Sequence, residues 1–198
     1  MSNSVISKID ELRDRVLSEA FDVIAITETW ATEDVSDCEL VIDGYVMYRK
    51  DRQSDVYTRG GGVMIMVKDS LQSKPLLQLT NSKFQELIWC QIDLDNSSLI
   101  FGACYRSTAS TPENAKEPFH LIKRVTNVSL GTQIILGDFN YPDIDYRYLI
   151  VDHGLGLGVG SEASRFLDMV CDTGIHQHVR EFTRYREGQN PSLQIINV

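Results

Sequence analysis

Three stretches of the chain predict helices. In residues 5–20, apolar residues recur at spacings of three or four with charged residues between them, which places the apolar residues on one helical face. The recurring residues are Ile9, Leu12, Val16 and Ala20. Further helices are predicted over residues 112–125, with Pro112 near the first turn, and over residues 162–171, with Ser161 as N-cap.

Short apolar runs bounded by polar or glycine-rich segments predict strands. The runs cover residues 22–27, 44–48, 63–68, 86–94, 98–105 and 133–137. Residues 95–97, between two of these runs, predict a hairpin turn. Many short strands combined with three helices favour an α+β layered fold with substantial sheet. No repeat or linker divides the sequence, so one domain over residues 1–198 is the simplest interpretation.

Composition is typical of a globular, intracellular protein. The 198 residues are 42% hydrophobic and 24% charged, and a chain of this length can bury roughly 70% of its unfolded surface. No apolar run reaches the ~18 residues of a membrane span, and the first residues lack the apolar stretch of a signal peptide. The scattered cysteines favour free thiols in a reducing compartment, nucleus or cytoplasm. Oligomeric state is left open.

The net charge of −9 is unusual for a protein that binds nucleic acid, because phosphate contacts normally require an excess of Lys and Arg. A locally basic cleft, or a metal ion that offsets carboxylates, still permits such binding. The charge therefore bears on the substrate and leaves the chemistry open.

Three predicted strands each end at a polar group that is capable of chemistry. The run DVIAIT leads to Glu28, LIFGAC leads to Tyr105 and Arg106, and QIILG leads to Asp138 and Asn140. Strand ends are rigid, so side chains there can be held within the narrow tolerances of a metal site. If the three ends meet, they form a cluster of two carboxylates, an amide, a phenol and a guanidinium.

This set of groups suits metal-dependent phosphodiester chemistry. Mg²⁺ commonly takes one or two carboxylates together with waters and phosphate oxygens, which makes Glu28 the candidate ligand. Asp138 can orient or deprotonate the attacking water, and Asn140 can hold a phosphate oxygen or position Asp138. Tyr105 and Arg106 can stabilise negative charge on the phosphorus oxygens.

Each of these residues also has an ordinary structural interpretation. Glu28 can be a solvated loop acid, Tyr105 a half-buried strand aromatic and Arg106 a surface cation. Asp138 and Asn140 can be turn residues, since both types favour turns. The combination of the three strand ends is what favours the catalytic interpretation.

The segments around these residues resemble the endonuclease/exonuclease/phosphatase superfamily, and most closely the endonuclease domain of non-LTR (LINE-type) retrotransposon proteins. The matching segments are AITETW (residues 25–30), GGGVMIMVKDSL (60–71), ACYRS (103–107) and ILGDFNYPDIDY (135–146). QHVREFTR (177–184) resembles a later segment, with Thr183 at the position of a phosphate-contacting hydroxyl. The resemblance covers about residues 4–193.

The resemblance implies a four-layer α/β/β/α sandwich, in which two facing mixed sheets are flanked by helices. It also implies that an activated water cleaves a DNA phosphodiester in a reaction that depends on Mg²⁺ or Mn²⁺. By matching motif, Glu28 is the metal ligand, Tyr105 the phenol beside the phosphate, and Asp138 with Asn140 the pair that aligns the nucleophile. Arg106 and Thr183 are the predicted substrate contacts.

Three elements of the family pattern are missing from the sequence. An opening strand that ends in a metal-site Asn falls at or before Met1, and a closing Ser-Asp-His motif falls beyond Val198. Ile195 and Ile196 stand where an acid is expected shortly after Asn-Pro-Ser-Leu. These departures predict a domain that is incomplete at its terminal strands and is weakly active or inactive.

Two other functions stay open. The chain can be a non-catalytic remnant that binds metal, nucleic acid or protein. It can also be a phosphoesterase of the same superfamily that acts on inositol phosphates or phospholipids, which the acidic composition favours and the retrotransposon-like motifs disfavour.

Overall fold

The computed structural model describes residues 5–53, 60–80, 84–108, 112–128, 131–151 and 160–178. Its helices are α1 (Ile9–Glu19, preceded by a 3₁₀ turn at Val5–Lys8), α2 (Asp37–Leu40), α3 (Leu77–Thr80), α4 (Pro112–Asn127) and α5 (Glu162–Thr173). Its strands are β1 (Val23–Thr27), β2 (Tyr45–Lys50), β3 (Val63–Lys68), β4 (Ser73–Pro75), β5 (Leu87–Leu94), β6 (Ser97–Tyr105), β7 (Thr132–Asp138), β8 (Ile144–Asp145) and β9 (Ile150–Val151).

The strands form two larger sheets and one short hairpin. The first sheet has the order β1-β3-β2 with antiparallel neighbours. The second has the order β4-β5-β6-β7, in which β7 runs parallel to β6 and the other pairs are antiparallel. Strands β8 and β9 pair with each other. A parallel pair needs a crossover connection, and α4 lies in the segment between β6 and β7.

Strand β3 contributes to two cores at once. Val63, Ile65 and Val67 belong to the apolar layer that also contains residues of the second sheet, whereas Met64 and Met66 pack with residues of α1. All five side chains are 0% exposed. Successive side chains of a strand point to opposite faces, so a strand covered on both faces reads as an unbroken apolar run.

The two sheets face each other across a layer of side chains from β3, β5 and β6. The buried members from the second sheet are Ile88, Cys90, Ile92, Phe101, Ala103 and Tyr105. Tyr105 is the last residue of β6, so this aromatic ring lies at one end of the layer. This apolar layer therefore extends from the interior between the sheets to the end of β6.

Helices cover the outer faces of both sheets. Val16 of α1 packs with residues of the first sheet, and the apolar faces of α4 and α5 pack on the second. In the latter core the ring of Phe166 lies 4.9 Å from that of Tyr141, 5.1 Å from Phe139 and 5.6 Å from Phe119, centroid to centroid. The layers follow the order α/β/β/α, which confirms the predicted class of two sheets flanked by helices.

The observed boundaries differ from the predicted ones by a few residues at most. The structure additionally contains α2, α3, β4 and the β8–β9 hairpin, which the pattern of apolar residues did not predict. Each of these helices and strands has four residues or fewer, which is too few to show a helical or strand period in the sequence. Within the described ranges, no helix has the length and apolar character needed to cross a bilayer.

The aromatic core around Phe166 gives a test of the packing. Phe166→Ala is expected to lower the free energy of unfolding by about 3–5 kcal/mol, because it removes a fully buried ring from between α4, α5 and the second sheet. Leu17→Ala, at a position 63% exposed on α1, should change it by no more than about 0.5 kcal/mol. Urea unfolding followed by circular dichroism measures both values, and equal losses would contradict this core.

Candidate active site at the edge of the two sheets

Glu28 follows directly after β1 and is held in a defined orientation. Its φ is 58°, in the left-handed region, and Trp30 has a φ of 56°. Such backbone conformations in non-glycine residues cost on the order of 1–3 kcal/mol and occur most often at functional sites. Glu28 Oε2 accepts a hydrogen bond from the indole Nε1 of Trp30 at 2.6 Å and another from the backbone N–H of Gly61 at 2.7 Å. Two neutral donors thus fix one carboxylate oxygen.

The glycine loop, residues 60–62, reaches Glu28 because β3 pairs with β1. Thr27 at the end of β1 lies opposite Val63 at the start of β3. The backbone N–H of Trp30 also donates to the carbonyl of Gly61 at 3.0 Å. Glu28, which follows Thr27, is therefore brought beside residues 60–62, which precede Val63.

A side chain at Gly61 would have to displace the ends of two charged side chains. The φ of Gly61 is 82°, a conformation that favours glycine. A Cβ atom there would lie 2.3 Å from both Arg52 Nε and Glu86 Oε1, far inside van der Waals contact. The triple glycine of the sequence, predicted as a turn, is thus also a place of close approach between the backbone and two charged side chains.

Tyr105 and Asp138 end the neighbouring parallel strands β6 and β7. The two residues pair in register, and the backbone N–H of Arg106 donates to the carbonyl of Asp138 at 2.8 Å. The Tyr105 side chain lies beside the Glu28 carboxylate. Burial, the neighbouring Glu28 and the nearby charges of Glu86 and Asp138 raise the pKa of Tyr105 well above its ordinary value. The phenol is therefore protonated at neutral pH and acts as a donor.

Asn140 is tied to both neighbouring strand ends. Its backbone N–H donates to Asp138 Oδ1 at 3.0 Å, and its side-chain Nδ2 donates to the carbonyl of Arg106 at 2.7 Å. Its φ of 49° lies in the left-handed region, which Asn tolerates better than most residues. The turn after β7 therefore fixes one oxygen of the Asp138 carboxylate.

Arg106 makes its described contacts within the protein. Its NH1 donates to the carbonyl of Asn140 at 3.2 Å, and its NH2 pairs with Glu162 at the start of α5 at 2.5 Å. The guanidinium carbon lies 4.1 Å from the centroid of the Tyr141 ring, and the side chain is buried. These contacts join β6, the turn after β7 and α5, so they give Arg106 a structural role, while its contact with substrate stays a prediction.

Glu86 and Arg52 belong to this site although their positions in the sequence did not indicate it. Glu86 Oε1 accepts from Arg52 Nε at 2.9 Å and from Arg52 NH2 at 2.5 Å. Glu86 is 6% exposed. Its backbone carbonyl accepts from the N–H of Tyr105 at 2.8 Å. Burial raises the pKa of Glu86, and the charge and hydrogen bonds of Arg52 and a hydrogen bond from the Gly62 N–H oppose that rise.

The sequence does contain a signal for Glu86, at the start of a strand rather than at its end. Glu86 stands directly before β5, and β5 is antiparallel to β6, with Leu87 opposite Cys104. The start of β5 therefore lies at the same edge as the end of β6. The predicted site residues all follow apolar runs, whereas Glu86 precedes one.

The structure thus brings five of the predicted site residues together at one edge of the sheets. Tyr105 lies beside Glu28 and pairs in register with Asp138, and Asp138 accepts from the backbone of Asn140. Arg106 bonds to Asp138 and Asn140. Thr183 lies outside the described residues. The chemical roles assigned to these residues stay predictions.

The donor set at this edge is compatible with Mg²⁺ or Mn²⁺. Among the described residues, no group of three or more His, Cys, Asp or Glu side chains is arranged to hold a metal. Mg²⁺ does not require such a group, because it usually takes one or two carboxylates and completes its shell with waters and phosphate oxygens. Glu28, oriented by Trp30 and Gly61, is the residue that would hold it.

Two facing sheets flanked by helices, with oriented polar side chains gathered at one edge, define the four-layer α/β/β/α class. The sequence matches the profile of the Endonuclease/Exonuclease/phosphatase family over residues 4–191. The chain therefore belongs to this family.

Solved structures of similar fold include three nucleic-acid enzymes. The endonuclease domain of TRAS1, a telomere-specific non-LTR retrotransposon, is 15% identical, with 96% of this chain and 77% of that chain covered and a TM-score of 0.64. The 3′ phosphatase NExo from Neisseria, bound to a product DNA hairpin, is 16% identical, with 98% and 82% covered and a TM-score of 0.65. An AP endonuclease from Archaeoglobus fulgidus is 13% identical, with 98% and 82% covered and a TM-score of 0.63.

At these identities the likeness to the solved structures shows the fold. No curated protein matches the chain.

The crowding at Gly61 predicts a specific stability difference. Gly44 has nearly the same φ, 83° against 82°, but a Cβ there would meet nothing within 4 Å. Gly44→Ala should lower the free energy of unfolding by about 1–2 kcal/mol, the left-handed penalty alone. Gly61→Ala should add a further loss of up to about 3 kcal/mol, because the added methyl group has to displace Arg52 and Glu86 from their ion pair. Urea unfolding measures both, and equal losses would show that the ion pair moves aside at no cost.

Proposed function

We propose that this chain is a divalent-metal-dependent phosphodiester hydrolase that acts on DNA as an endonuclease of the retrotransposon type. The observation that carries the proposal is the convergence of Glu28, Tyr105 and Asp138, from three strand ends, at one edge of the facing sheets. One domain over residues 1–198 stays a prediction; within the described residues, the second sheet contributes side chains to the cores on both of its faces, which supports it. An intracellular location, nucleus or cytoplasm, stays a prediction.

The proposed roles follow from what each group can donate or accept. Glu28 would hold Mg²⁺ or Mn²⁺, which supplies Lewis-acid stabilisation of charge on the phosphoryl group. Tyr105, whose raised pKa keeps its phenol protonated, would donate a hydrogen bond to a phosphate oxygen. Asp138, with one oxygen fixed by Asn140, would orient the attacking water and accept its proton.

DNA is the substrate that the comparisons favour. One structure of similar fold is described as the endonuclease domain of a non-LTR retrotransposon, and another is bound to a product DNA hairpin. The motifs TETW and GDFN carry the resemblance to retrotransposon endonucleases, which disfavours a substrate of the inositol-phosphate type.

We expect slow turnover. Ile195 and Ile196 occupy the positions where the resemblance expects an acid. Loss of one general acid–base group typically lowers a rate by about 10²–10⁴-fold. A binding module without turnover is the second candidate function, and this replacement of an acid by apolar residues is the observation that favours it.

A plasmid-nicking assay tests the proposal. Conversion of supercoiled plasmid to open circles by the purified chain, with Mg²⁺ or Mn²⁺, should fall about 10²-fold or more in Glu28→Gln and in Asp138→Asn. Glu11→Gln, an exposed acid on α1, is the matched control and should nick like the parental chain. Removal of the metal with EDTA should stop the reaction.

The outcomes separate the candidate functions. Nicking that survives both site variants contradicts the site. Metal-dependent retention of DNA without nicking, lost in Glu28→Gln, supports the binding module. Release of phosphate from inositol polyphosphates in the same metal buffer, in the absence of nicking, supports the phosphoesterase interpretation instead.

A further inference from the structure

We propose that the buried ion pair between Arg52 and Glu86 positions Glu28, because it fixes the glycine loop, residues 60–62, between the two carboxylates. The part of Glu28 as the metal ligand rests on the proposed function. Arg52 and Glu86 act through the backbone of the loop, so they are positioning residues rather than catalytic residues.

The ion pair is well oriented and largely removed from solvent. Arg52 donates to the same oxygen, Glu86 Oε1, through Nε at 2.9 Å and NH2 at 2.5 Å. The Arg52 side chain is 18% exposed and that of Glu86 is 8% exposed. Two hydrogen bonds from one planar guanidinium fix the direction of the carboxylate as well as its charge.

Successive amides of the glycine loop bind the two carboxylates. The N–H of Gly61 donates to Glu28 Oε2 at 2.7 Å, and the backbone amide of Gly62 lies close enough to the Glu86 carboxylate to oppose the rise of its pKa. A displacement of Glu86 therefore moves the amide of Gly62 and, through one peptide unit, the amide that orients Glu28.

The backbone at Gly61 packs closely on the ion pair. The Cβ position of Gly61 lies 2.3 Å from Arg52 Nε and from Glu86 Oε1, so the loop backbone packs directly on the ion pair. On the other side, a Cβ at Gly60 would lie 3.1 Å from Glu28 Oε2. The loop is thus enclosed by Glu28 on one side and by the ion pair on the other.

The ion pair also contacts the second strand end of the site. The carbonyl of Glu86 accepts from the backbone N–H of Tyr105 at 2.8 Å, and the guanidinium carbon of Arg52 lies 5.9 Å from the centroid of the Tyr105 ring. Tyr105 in turn lies beside Glu28. The ion pair therefore also supports the strand end that faces Glu28.

Stability alone does not explain an ion pair at this position. Burial of two charges carries a desolvation cost, and apolar residues of similar volume often replace a buried pair with no loss of stability. Removal of only one partner is strongly destabilising, because it leaves an uncompensated charge. A double apolar replacement is therefore the variant that separates a positioning role from a structural one.

The experiment compares the parental chain with the double variant Arg52→Met/Glu86→Leu. Mn²⁺ is the probe, and its binding is measured by the loss of the electron paramagnetic resonance signal of the free aqueous ion. The double variant should keep the parental midpoint of urea unfolding and bind Mn²⁺ about 10- to 100-fold more weakly, the usual range for loss of residues that orient a metal ligand.

A second ion pair in the same segment is the matched control. Arg49 and Asp51 lie 3.2 Å apart, with side chains 17% and 11% exposed, which closely matches the burial of Arg52 and Glu86. The variant Arg49→Met/Asp51→Leu should bind Mn²⁺ as the parental chain does, since neither side chain hydrogen-bonds to the glycine loop in the described contacts.

Glu28→Gln distinguishes failure of this inference from failure of the proposed function. Weaker Mn²⁺ binding in Glu28→Gln together with parental binding in Arg52→Met/Glu86→Leu overturns the positioning role alone. Parental binding in Glu28→Gln, or no Mn²⁺ binding by the parental chain, contradicts the metal site and the positioning role with it.

A single variant decides the matter if the double variant does not fold. Arg52→Lys keeps the positive charge but lacks the planar pair of donors. A tenfold or larger loss of Mn²⁺ affinity in Arg52→Lys supports the inference, and parental affinity overturns it.

Discussion

The backbone amide of Gly61 lies between Glu28 and the ion pair of Arg52 with Glu86. It donates to Glu28 from one side, while Arg52 and Glu86 occupy the space where a side chain at this position would lie. Antiparallel pairing of β1 with β3 brings the amide to Glu28, and burial of β3 between the layers fixes the start of that strand. The orientation of the candidate metal ligand therefore depends on the core between the sheets as well as on its own hydrogen bonds.

Three cations at and directly after the end of β2, Arg49, Lys50 and Arg52, make contacts inside the protein. Arg49 donates to the carbonyl of Val35 at 2.7 Å, Lys50 donates to carbonyl oxygens at and after the end of α3 at 2.6 and 2.8 Å, and Arg52 pairs with Glu86. Burial lowers the pKa of Lys50. These contacts connect the first sheet to its neighbours, so these three side chains bind groups of the protein itself. On the proposed function, substrate binding depends on the metal and a few oriented donors, which agrees with the net charge of −9.

Most of the fold could be predicted from the sequence, because its longer elements have either a helical period or a distinct apolar run. The apolar run at residues 63–68 is β3 at its predicted bounds, and Ser161 caps α5 as expected. The four-residue α2 has no measurable period, and it forms through a capping box between Ser36 and Glu39. The meeting of Glu28 with Tyr105 followed from the family motifs. The contacts of Arg106 did not, since a sequence cannot show that the Glu162 carboxylate lies within reach of its guanidinium.

The position of Glu86 shows which physical information was missing. Every edge of an antiparallel pair contains the end of one strand and the start of the other, so functional groups can lie on both sides of an apolar run. Glu86 precedes β5 by one residue, and the register that places Leu87 opposite Cys104 brings it beside Tyr105. The order of strands in the sheet, which a single sequence does not specify, determines which starts and ends share an edge. Because β5 is antiparallel to β6, and β7 is parallel to β6, the start of β5 lies beside the ends of β6 and β7. The site takes one residue from each of these three places: Glu86, Tyr105 and Asp138.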